Sequence, residues 1–243
     1  MLNLSKSQDS KVQNPGGYKR RVKMIQLSPT ALSLFLECPR CFWLGKNERI
    51  KRPAGIFPSL PRGMDKLIKD YFDSYRVKSL LPPEIDGLVQ GKLLDDQELL
   101  SNWRDWRKGL RFEDDTLGSA LFGALDDCLV DDGMYMPLDY KTRGYDLNKD
   151  SAEFYKLQIN SYALLLEKNG YKTGPFGYLV FYIPRKVSSE GRVTFSVEVV
   201  KVEAEPAKAA TVFEEAVKAL RKPIPSAHTE CDYCSWLHEI SAL

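Results

Sequence analysis

The chain has 243 residues, of which 43% are apolar and 28% are charged, and its formal net charge is +2. These values are typical of a globular protein and exclude a disordered chain, and no run of about 20 apolar residues indicates a membrane span. The length fits one sizeable core better than two independent domains. A net charge this small does not by itself indicate nucleic-acid binding, because a phosphate-binding surface needs clustered charge.

Residues 1–25 are predicted to form a flexible basic arm, because they are rich in Lys, Ser, Gln and Gly and lack apolar periodicity. They also lack the apolar stretch of a secretory signal, which favours a cytoplasmic location. Residues 26–243 are then expected to form a single domain. The arm carries a basic cluster, expected to be a solvated tail, with phosphate contact as the alternative; it consists of Lys19, Arg20, Arg21 and Lys23.

Helices and loops alternate in the first half of the chain. Ser28 and Pro29 have the chemistry of an N-cap and a first helical position, so a short helix is predicted to lead to Cys38. Proline and glycine predict connections over 51–62 and 80–90, and apolar spacing predicts a helix over 64–77. A polar, tryptophan-containing helix is predicted over about 96–108. Trp103 and Trp106 lie three apart in this helix, where core packing is expected and base stacking is the alternative.

The second half of the chain contains most of the predicted strands. Two apolar runs, 118–130 and 134–141, are separated by Asp131, Asp132 and Gly133, which predicts two antiparallel strands. The elements predicted after them are a helix over 151–168, a strand over 176–183 that ends at Pro184, a strand over 192–202 and a helix over 206–220. This order suits an α/β sandwich around a mixed sheet.

The segment GALDDCLVDDGMYMPLDYKT concentrates charge on these two strands. Asp126 falls on the first strand, and Asp139 and Lys141 fall on the second, on the face opposite Tyr140. Strand pairing can bring Asp126 alongside Asp139, and two close carboxylates invite a hard divalent ion such as Mg²⁺ or Mn²⁺. With Lys141 beside that ion to orient water and counter phosphate charge, the set suits phosphodiester hydrolysis. Acidic residues also flank hairpin turns routinely, and that role is assigned to Asp127, Asp131 and Asp132.

Three motifs follow one another in this region: Gly-x-x-Asp (Gly123 to Asp126), Asp-Tyr-Lys-Thr (Asp139 to Thr142) and a helical Gln-x-x-x-Tyr (Gln158 to Tyr162). This succession resembles the RecB-like branch of the PD-(D/E)xK nucleases, which includes CRISPR-associated RecB-type exonucleases and AddB-type helicase–nucleases. The resemblance implies an α/β fold with a restriction-endonuclease-like αβββαβ core, a mixed sheet and flanking helices.

The same resemblance implies a role for each motif residue. Asp126 and Asp139 would bind Mg²⁺ or Mn²⁺, the Tyr140 carbonyl would add a ligand, and Lys141 would be the catalytic lysine. The last two residues, Gln158 and Tyr162, would face the site, and their spacing of four independently places them on one helix face. For Tyr162, amphipathic packing is the alternative role.

The implied activity is that of a metal-dependent DNA nuclease, exonuclease-type, acting on single strands or strand ends. Its setting would be repair, recombination, CRISPR adaptation or phage replication, with a helicase or recombination protein as a partner. The alternative is an inactive nuclease fold that holds DNA or a partner protein.

One departure from the family's pattern bears on that choice. The family often carries a histidine ligand after a glycine on the helix before the strands, whereas here Gly63 is followed by Met64 and Asp65 and no histidine. Asp65 is a candidate oxygen ligand at a different offset; the alternative is an acidic first-turn residue favoured by the helix dipole. The missing histidine favours the inactive fold, and the intact carboxylates and lysine favour the enzyme.

Four of the five cysteines form two CxxC pairs, which suit metal binding better than disulfides. The pairs are Cys38 with Cys41 and Cys231 with Cys234, whereas Cys128 lies in an apolar strand and is expected to be core. Several of the resembled nucleases hold an iron–sulfur cluster with one N-terminal and three C-terminal cysteines, but this chain offers two and two.

The metal predicted for the four cysteines is therefore left open between an iron–sulfur cluster, preferably [4Fe–4S], and Zn²⁺. His238 is an alternative zinc ligand. A zinc-stapled interaction protein with no nucleic-acid role would explain the cysteines but not the strand motifs.

Overall fold

The protein is described by a computed structural model that covers residues 24–53, 55 and 59–242. Seven α-helices are found in these ranges: α1 (Pro29–Glu37), α2 (Pro39–Trp43), α3 (Ser59–Arg76), α4 (Gln97–Arg104), α5 (Glu153–Lys168), α6 (Pro206–Leu220) and α7 (Asp232–Ser241). The strands are β1 (Ile25–Leu27), β2 (Lys92–Leu93), β3 (Leu110–Asp114), β4 (Ser119–Gly123), β5 (Asp127–Asp131), β6 (Met134–Thr142), β7 (Phe176–Val187) and β8 (Val193–Glu203). A π-helical turn over Leu44–Glu48 continues α2.

The strands form one five-stranded sheet and one three-stranded sheet. The larger sheet has the order β2-β5-β6-β7-β8, in which β6 and β7 are parallel and the other neighbours are antiparallel. The smaller sheet has the order β1-β4-β3, with β1 parallel to β4 and β3 antiparallel to it. The α/β class with mixed sheets, predicted from the element order, is confirmed.

Helices cover both faces of the larger sheet. Ile159 of α5 is buried with Leu179 on one face, and Phe72 of α3 is buried with Tyr140 and Val180 on the other. The predicted αβββαβ order is found in α3, then β4 to β6, then α5 and β7, with β2, α4 and β3 inserted after α3. The strand β6 is thus enclosed between the two helices that carry the predicted site residues.

Several local predictions are confirmed. Ser28 caps α1 by accepting a hydrogen bond from the Ala31 amide at 3.3 Å, and Pro29 is the first helical residue. The β5–β6 hairpin turns at Asp132 and Gly133, whose φ values of 46° and 73° are those of a primed turn matched to strand twist. The helix α5 ends at Asn169 and Gly170 as expected, and α6 has its predicted bounds.

The bounds of two helices were predicted wrongly. The helix α3 begins at Ser59 within the predicted loop, because Pro61 lies in its first turn, where a missing N–H costs nothing. The helix α4 ends at Arg104, four residues early, so the two tryptophans do not share a helix face. Trp103 is buried, as expected for core, and Trp106 is 69% exposed beyond the helix.

Two strand predictions were also wrong. The apolar run 118–130 is divided into β4 and β5, which belong to different sheets, so Asp126 lies just before β5 and not on it. The strand β7 continues past Pro184 to Val187, with a register shift between Pro184 and Lys186 that accommodates the proline. The terminal helix α7 was not predicted.

The predicted arm, residues 1–25, lies outside the described residues apart from Met24 and Ile25, and Ile25 already begins β1. The basic cluster at 19–23 therefore lies outside them as well. In the described part of the chain, no helix is long and apolar enough to cross a membrane.

Candidate active site and cysteine cluster

The strand β6 carries the centre of the candidate active site. Asp139 is fully buried, and its carboxylate forms an ion pair with the Lys141 ammonium on the same strand face. The alternation of side chains sends Tyr140 to the opposite face, as predicted. Asp127 pairs with Leu138 in the β5–β6 ladder, so extending this register by one residue places Asp126 opposite Asp139.

Gln158 on α5 connects the charged residues of β6. Its amide nitrogen donates to Asp139 Oδ1 and to the Tyr162 hydroxyl, each at 2.8 Å, and its amide oxygen accepts from Lys141 Nζ at 3.0 Å. The carboxylate and the ammonium are therefore held at a fixed separation by one side chain. Lys141 Nζ also lies 4.5 Å from the ring centre of Tyr155.

Gly123 explains why Tyr162 can reach this network. A Cβ atom at Gly123 would lie 2.9 Å from Leu165 Cδ1 and 3.2 Å from Tyr162 Cε1, so a larger residue would require both side chains to shift. The first position of the Gly-x-x-Asp motif thus permits the close approach of α5 to β4.

Burial raises the pKa of Tyr162 well above its usual range, and Asp139 raises it further, so the hydroxyl stays protonated.

The electrostatics of Asp139 favour a cation. Burial raises its pKa, repulsion from Asp126 raises it further, and Lys141 offsets only part of this, which leaves the pKa at about 7. Asp139 Oδ2 is buried, and among the described residues it has no hydrogen bond beyond its ion pair with Lys141. A divalent ion between Asp126 and Asp139 would remove their repulsion, so the residues fit such an ion.

Lys69 was missed by the sequence reasoning. Its ammonium lies 2.7 Å from Asp126 Oδ1 and 2.9 Å from Asp65 Oδ2. Although burial disfavours its charge, attraction to Asp126 raises the pKa of Lys69. The spacing of four between Asp65 and Lys69 indicated a helical ion pair, but nothing in the sequence pointed to Asp126.

Asp65, the proposed substitute for the missing histidine, lies beside the site but is bound to Lys69. Among the described residues, it does not form a three-carboxylate group with Asp126 and Asp139 that could hold an ion. In this arrangement the lysine, rather than a third acidic ligand, approaches the carboxylates from α3.

Asp127 is not the turn residue it was predicted to be. It is fully buried, accepts from Arg76 and the Tyr140 hydroxyl at 2.5 Å each, and accepts from Arg104 at 3.0 Å. This network ties α3 and α4 to the strands directly behind Asp126 and Asp139. Asp131, by contrast, does border the turn, where it accepts a hydrogen bond from the Gln90 side chain.

The four CxxC cysteines meet at one place, although about 190 residues separate the two pairs. Their sulfur atoms all lie within 4.8 Å of one another. The Sγ–Sγ distances are 3.8 Å for Cys38–Cys234, 3.7 Å for Cys41–Cys231 and 3.6 Å for Cys41–Cys234. Cys128 is buried elsewhere, in the main apolar core. His238 is exposed and does not belong to the group.

The thiols cannot all ionise together without a cation. Burial disfavours the Cys38 thiolate, but hydrogen bonds from the Cys41 and His228 backbone outweigh it and lower its pKa to about 6. Burial raises the pKa of Cys234, and the neighbouring sulfurs raise it further. Since metal binding requires deprotonated thiols, a bound cation would resolve this conflict. The residues therefore fit a metal.

A family model described as the PD-(D/E)XK nuclease superfamily matches residues 85–238, which is more than half of the chain. The chain belongs to the PD-(D/E)XK nuclease superfamily. The matched region contains Asp126, β6 and α5, and hence the three strand and helix motifs of the candidate active site, whereas Asp65 lies outside it. Membership indicates a metal-dependent nuclease that acts on nucleic acid.

Two further comparisons add little to the superfamily assignment. No curated protein matches the chain. A solved structure described as "Crystal structure of SSO0001" aligns with 91% of this chain and 87% of its own, at 14% identity and a TM-score of 0.37. A likeness of that size supports no conclusion about activity.

Proposed function

We propose that this superfamily member is a Mg²⁺- or Mn²⁺-dependent deoxyribonuclease of the RecB-like branch, of the exonuclease type. The observation that carries the proposal is the linked set of Asp139, Lys141, Gln158 and Tyr162, with Asp126 beside it. Asp126, Asp139 and the Tyr140 carbonyl would hold the ion. Repair, recombination, CRISPR adaptation or phage replication would supply the substrate, with a helicase or recombination protein as partner.

The chain's own residues suit phosphodiester hydrolysis. When bound, a divalent ion supplies Lewis-acid activation of the scissile phosphate and of water. Lys141 would place a positive charge where negative charge develops on the phosphate. Gln158 would keep that ammonium and the Asp139 carboxylate in register, because it hydrogen-bonds to both.

Exposed aromatic rings beside the site support single-stranded DNA or strand ends as the substrate. Phe154 is 78% exposed, and its ring centre lies 5.0 Å from that of Tyr155, the ring under Lys141. Tyr145, 71% exposed, has the Arg143 guanidinium over its ring at 4.6 Å. Unpaired bases stack on such rings, and a neighbouring arginine favours the phosphates.

The test is cleavage of end-labelled single- and double-stranded DNA by the full chain with Mg²⁺, with Mn²⁺ and without divalent ions. We expect ion-dependent cleavage that Asp139→Asn and Lys141→Ala each abolish, whereas Lys66→Ala, in an exposed ion pair on α3, leaves it unchanged. DNA binding without cleavage under all conditions would instead identify the inactive, DNA-holding fold.

The substrate preference is tested by measuring how tightly the full chain binds the same single- and double-stranded DNA. Since stacking contributes about 1–3 kcal/mol per base, Phe154→Ala should weaken single-strand binding by about tenfold. Trp236→Ala, which removes another exposed ring from α7, is the matched control. Equal losses of single-strand affinity in both variants, or no loss in Phe154→Ala, would show that bases do not stack on Phe154.

A further inference from the structure

The sulfur spacing of the cysteine cluster distinguishes between the two metal centres left open by the sequence. Four thiolates around one tetrahedral zinc, with Zn–S bonds of about 2.3 Å, have sulfur–sulfur edges of about 3.8 Å. The Sγ–Sγ separations of 3.6, 3.7 and 3.8 Å match that edge. The remaining sulfur pairs also lie within 4.8 Å.

An iron–sulfur cubane does not fit this spacing. In a [4Fe–4S] centre each cysteine binds a different iron, so an iron–iron separation adds to the two iron–sulfur bonds, and the ligand sulfurs lie roughly 6 Å apart. A [2Fe–2S] centre brings sulfurs together in pairs but separates the two pairs for the same reason. Four sulfurs that are all within 4.8 Å of one another enclose room for a single ion.

Each of the two helices at the cluster carries one CxxC pair. Cys38 and Cys41 bracket the first turn of α2, and Cys231 and Cys234 bracket the first turn of α7. Each pair therefore supplies two thiolates from one turn, and the two turns face each other. The cysteines of this cluster are therefore not divided into one and three, as they are in the iron–sulfur nucleases that the sequence resembles.

Arg52 indicates that the centre carries negative charge. Its guanidinium donates to Cys231 Sγ at 3.4 Å, pairs with Glu37 and lies over the Tyr233 ring at 4.6 Å. One divalent ion with four thiolates has a net charge of −2, for which this largely buried guanidinium is a counter-ion. The same contact also links the segment after the π-helical turn to α7.

We infer that Cys38, Cys41, Cys231 and Cys234 hold one tetrahedrally coordinated Zn²⁺ ion and not an iron–sulfur cluster. The inference is independent of the proposed nuclease activity, because it concerns a separate group of residues. Zinc has no redox chemistry, so the centre would serve to join α2 to α7.

The test is elemental analysis of the full chain, produced with zinc, iron and sulfide sources all in excess and purified anaerobically without chelators. We expect one zinc per chain, no acid-labile sulfide and no visible absorbance. Production with cobalt in place of zinc should give the visible bands of tetrahedral cobalt thiolate. Several irons with matching sulfide and a brown colour would overturn the inference, and so would a chain free of metal.

Single substitutions test whether the two pairs share one ion. Cys41→Ser and Cys234→Ser should each lower the zinc content from one per chain to near zero. Cys128→Ser and His238→Ala are matched controls that should keep it at one. Full zinc in either of the first two variants, or zinc lost from His238→Ala, would contradict the four-cysteine centre. If a variant is insoluble, the metal content and cobalt spectrum of the unmodified chain still decide.

Discussion

At Asp139, burial and ionisation oppose each other. The carboxyl is inaccessible to solvent and faces Asp126, and its pKa is raised to about 7 by burial first and by that neighbour second. In the unfolded chain the pKa would have its ordinary value near 3.8. The folded state therefore binds more protons between these two values, so stability without a divalent ion should fall as pH rises from about 4 to about 7 and should level off above that.

Asp139→Asn cannot ionise at this position, so this variant should not lose stability as the pH rises. One pKa unit is about 1.4 kcal/mol, and each kcal/mol shifts Tm by about 2–4 °C in a domain of this size. At pH 8 without added divalent ions, the variant should melt at least about 3 °C above the unmodified chain, although we expect it to be inactive in the cleavage assay. Near pH 4 the difference should shrink. Asp70→Asn, in an exposed ion pair, is the control. A Tm difference that does not vary with pH would contradict the raised pKa.

The sequence predicted which residues lie near Asp139 better than it predicted which side chains contact one another. Alternation along β6 correctly placed Asp139 and Lys141 on one face, and helical spacing placed Gln158 and Tyr162 together. The identity of each partner depends on how α3 and α5 cross the sheet, and local patterns do not contain that information. For this reason Lys69 was not predicted, and Asp127 was wrongly predicted to border the turn.

At the scale of elements, the buried Asp127 network joins α3, α4 and the central hairpin. Arg76 is almost fully buried and Arg104 is mostly so, and each pairs with Asp127 and with the partly exposed Asp73. Removing Asp127 would take away the fully buried counter-charge of both guanidinium groups and leave them only Asp73 among the described residues. Because the adjacent Asp126 points instead to Lys69 on the partly open side, neighbouring aspartates have separate roles.

Substituting these two aspartates should separate stability from activity. Asp127→Ala should lower the free energy of unfolding by about 3–5 kcal/mol, the typical loss when one partner of a buried ion pair is removed. Asp126→Ala should change it by about 1 kcal/mol or less, since that site is partly exposed, and should abolish cleavage. Urea unfolding and the nuclease assay measure the two effects. Similar unfolding energies for both variants would show that Asp127 does not hold the hairpin in place.

Sequence patterns predicted elements well where the signal was local and poorly where it depended on pairing. The β5–β6 turn, the α1 cap and the end of α5 depend on a few adjacent residues, and all were correct. The division of the run 118–130 into two strands depends on β1 and β3, which pair with β4. The strand β1 is distant in sequence, and neither β1 nor the preceding strand β3 was predicted, so the apolar run was predicted to form one strand.

At the scale of the whole molecule, the two ends of the described chain are secured unequally. The helices α1 and α2 bury Leu32 and Phe42 in the main core, so they have apolar anchors besides the cysteines. The helix α7 has no buried residue along its length, and its buried contact is Cys231 at the N-cap. The cysteine centre and the Arg52–Tyr233 contact therefore hold α7.

Loss of the cysteine centre should accordingly release α7 before the core unfolds. In Cys231→Ser, amide hydrogen exchange over residues 232–241 should accelerate by about tenfold or more, because local opening no longer breaks a metal site. The strands β5, β6 and β7 should keep their protection, since their apolar clusters do not include these cysteines. Cys128→Ser is the contrasting control: a hydroxyl buried in the core should destabilise the whole chain by about 1–3 kcal/mol without selectively freeing α7. Unchanged exchange in α7 of Cys231→Ser would mean that packing, and not the cysteine centre, holds the C-terminal helix.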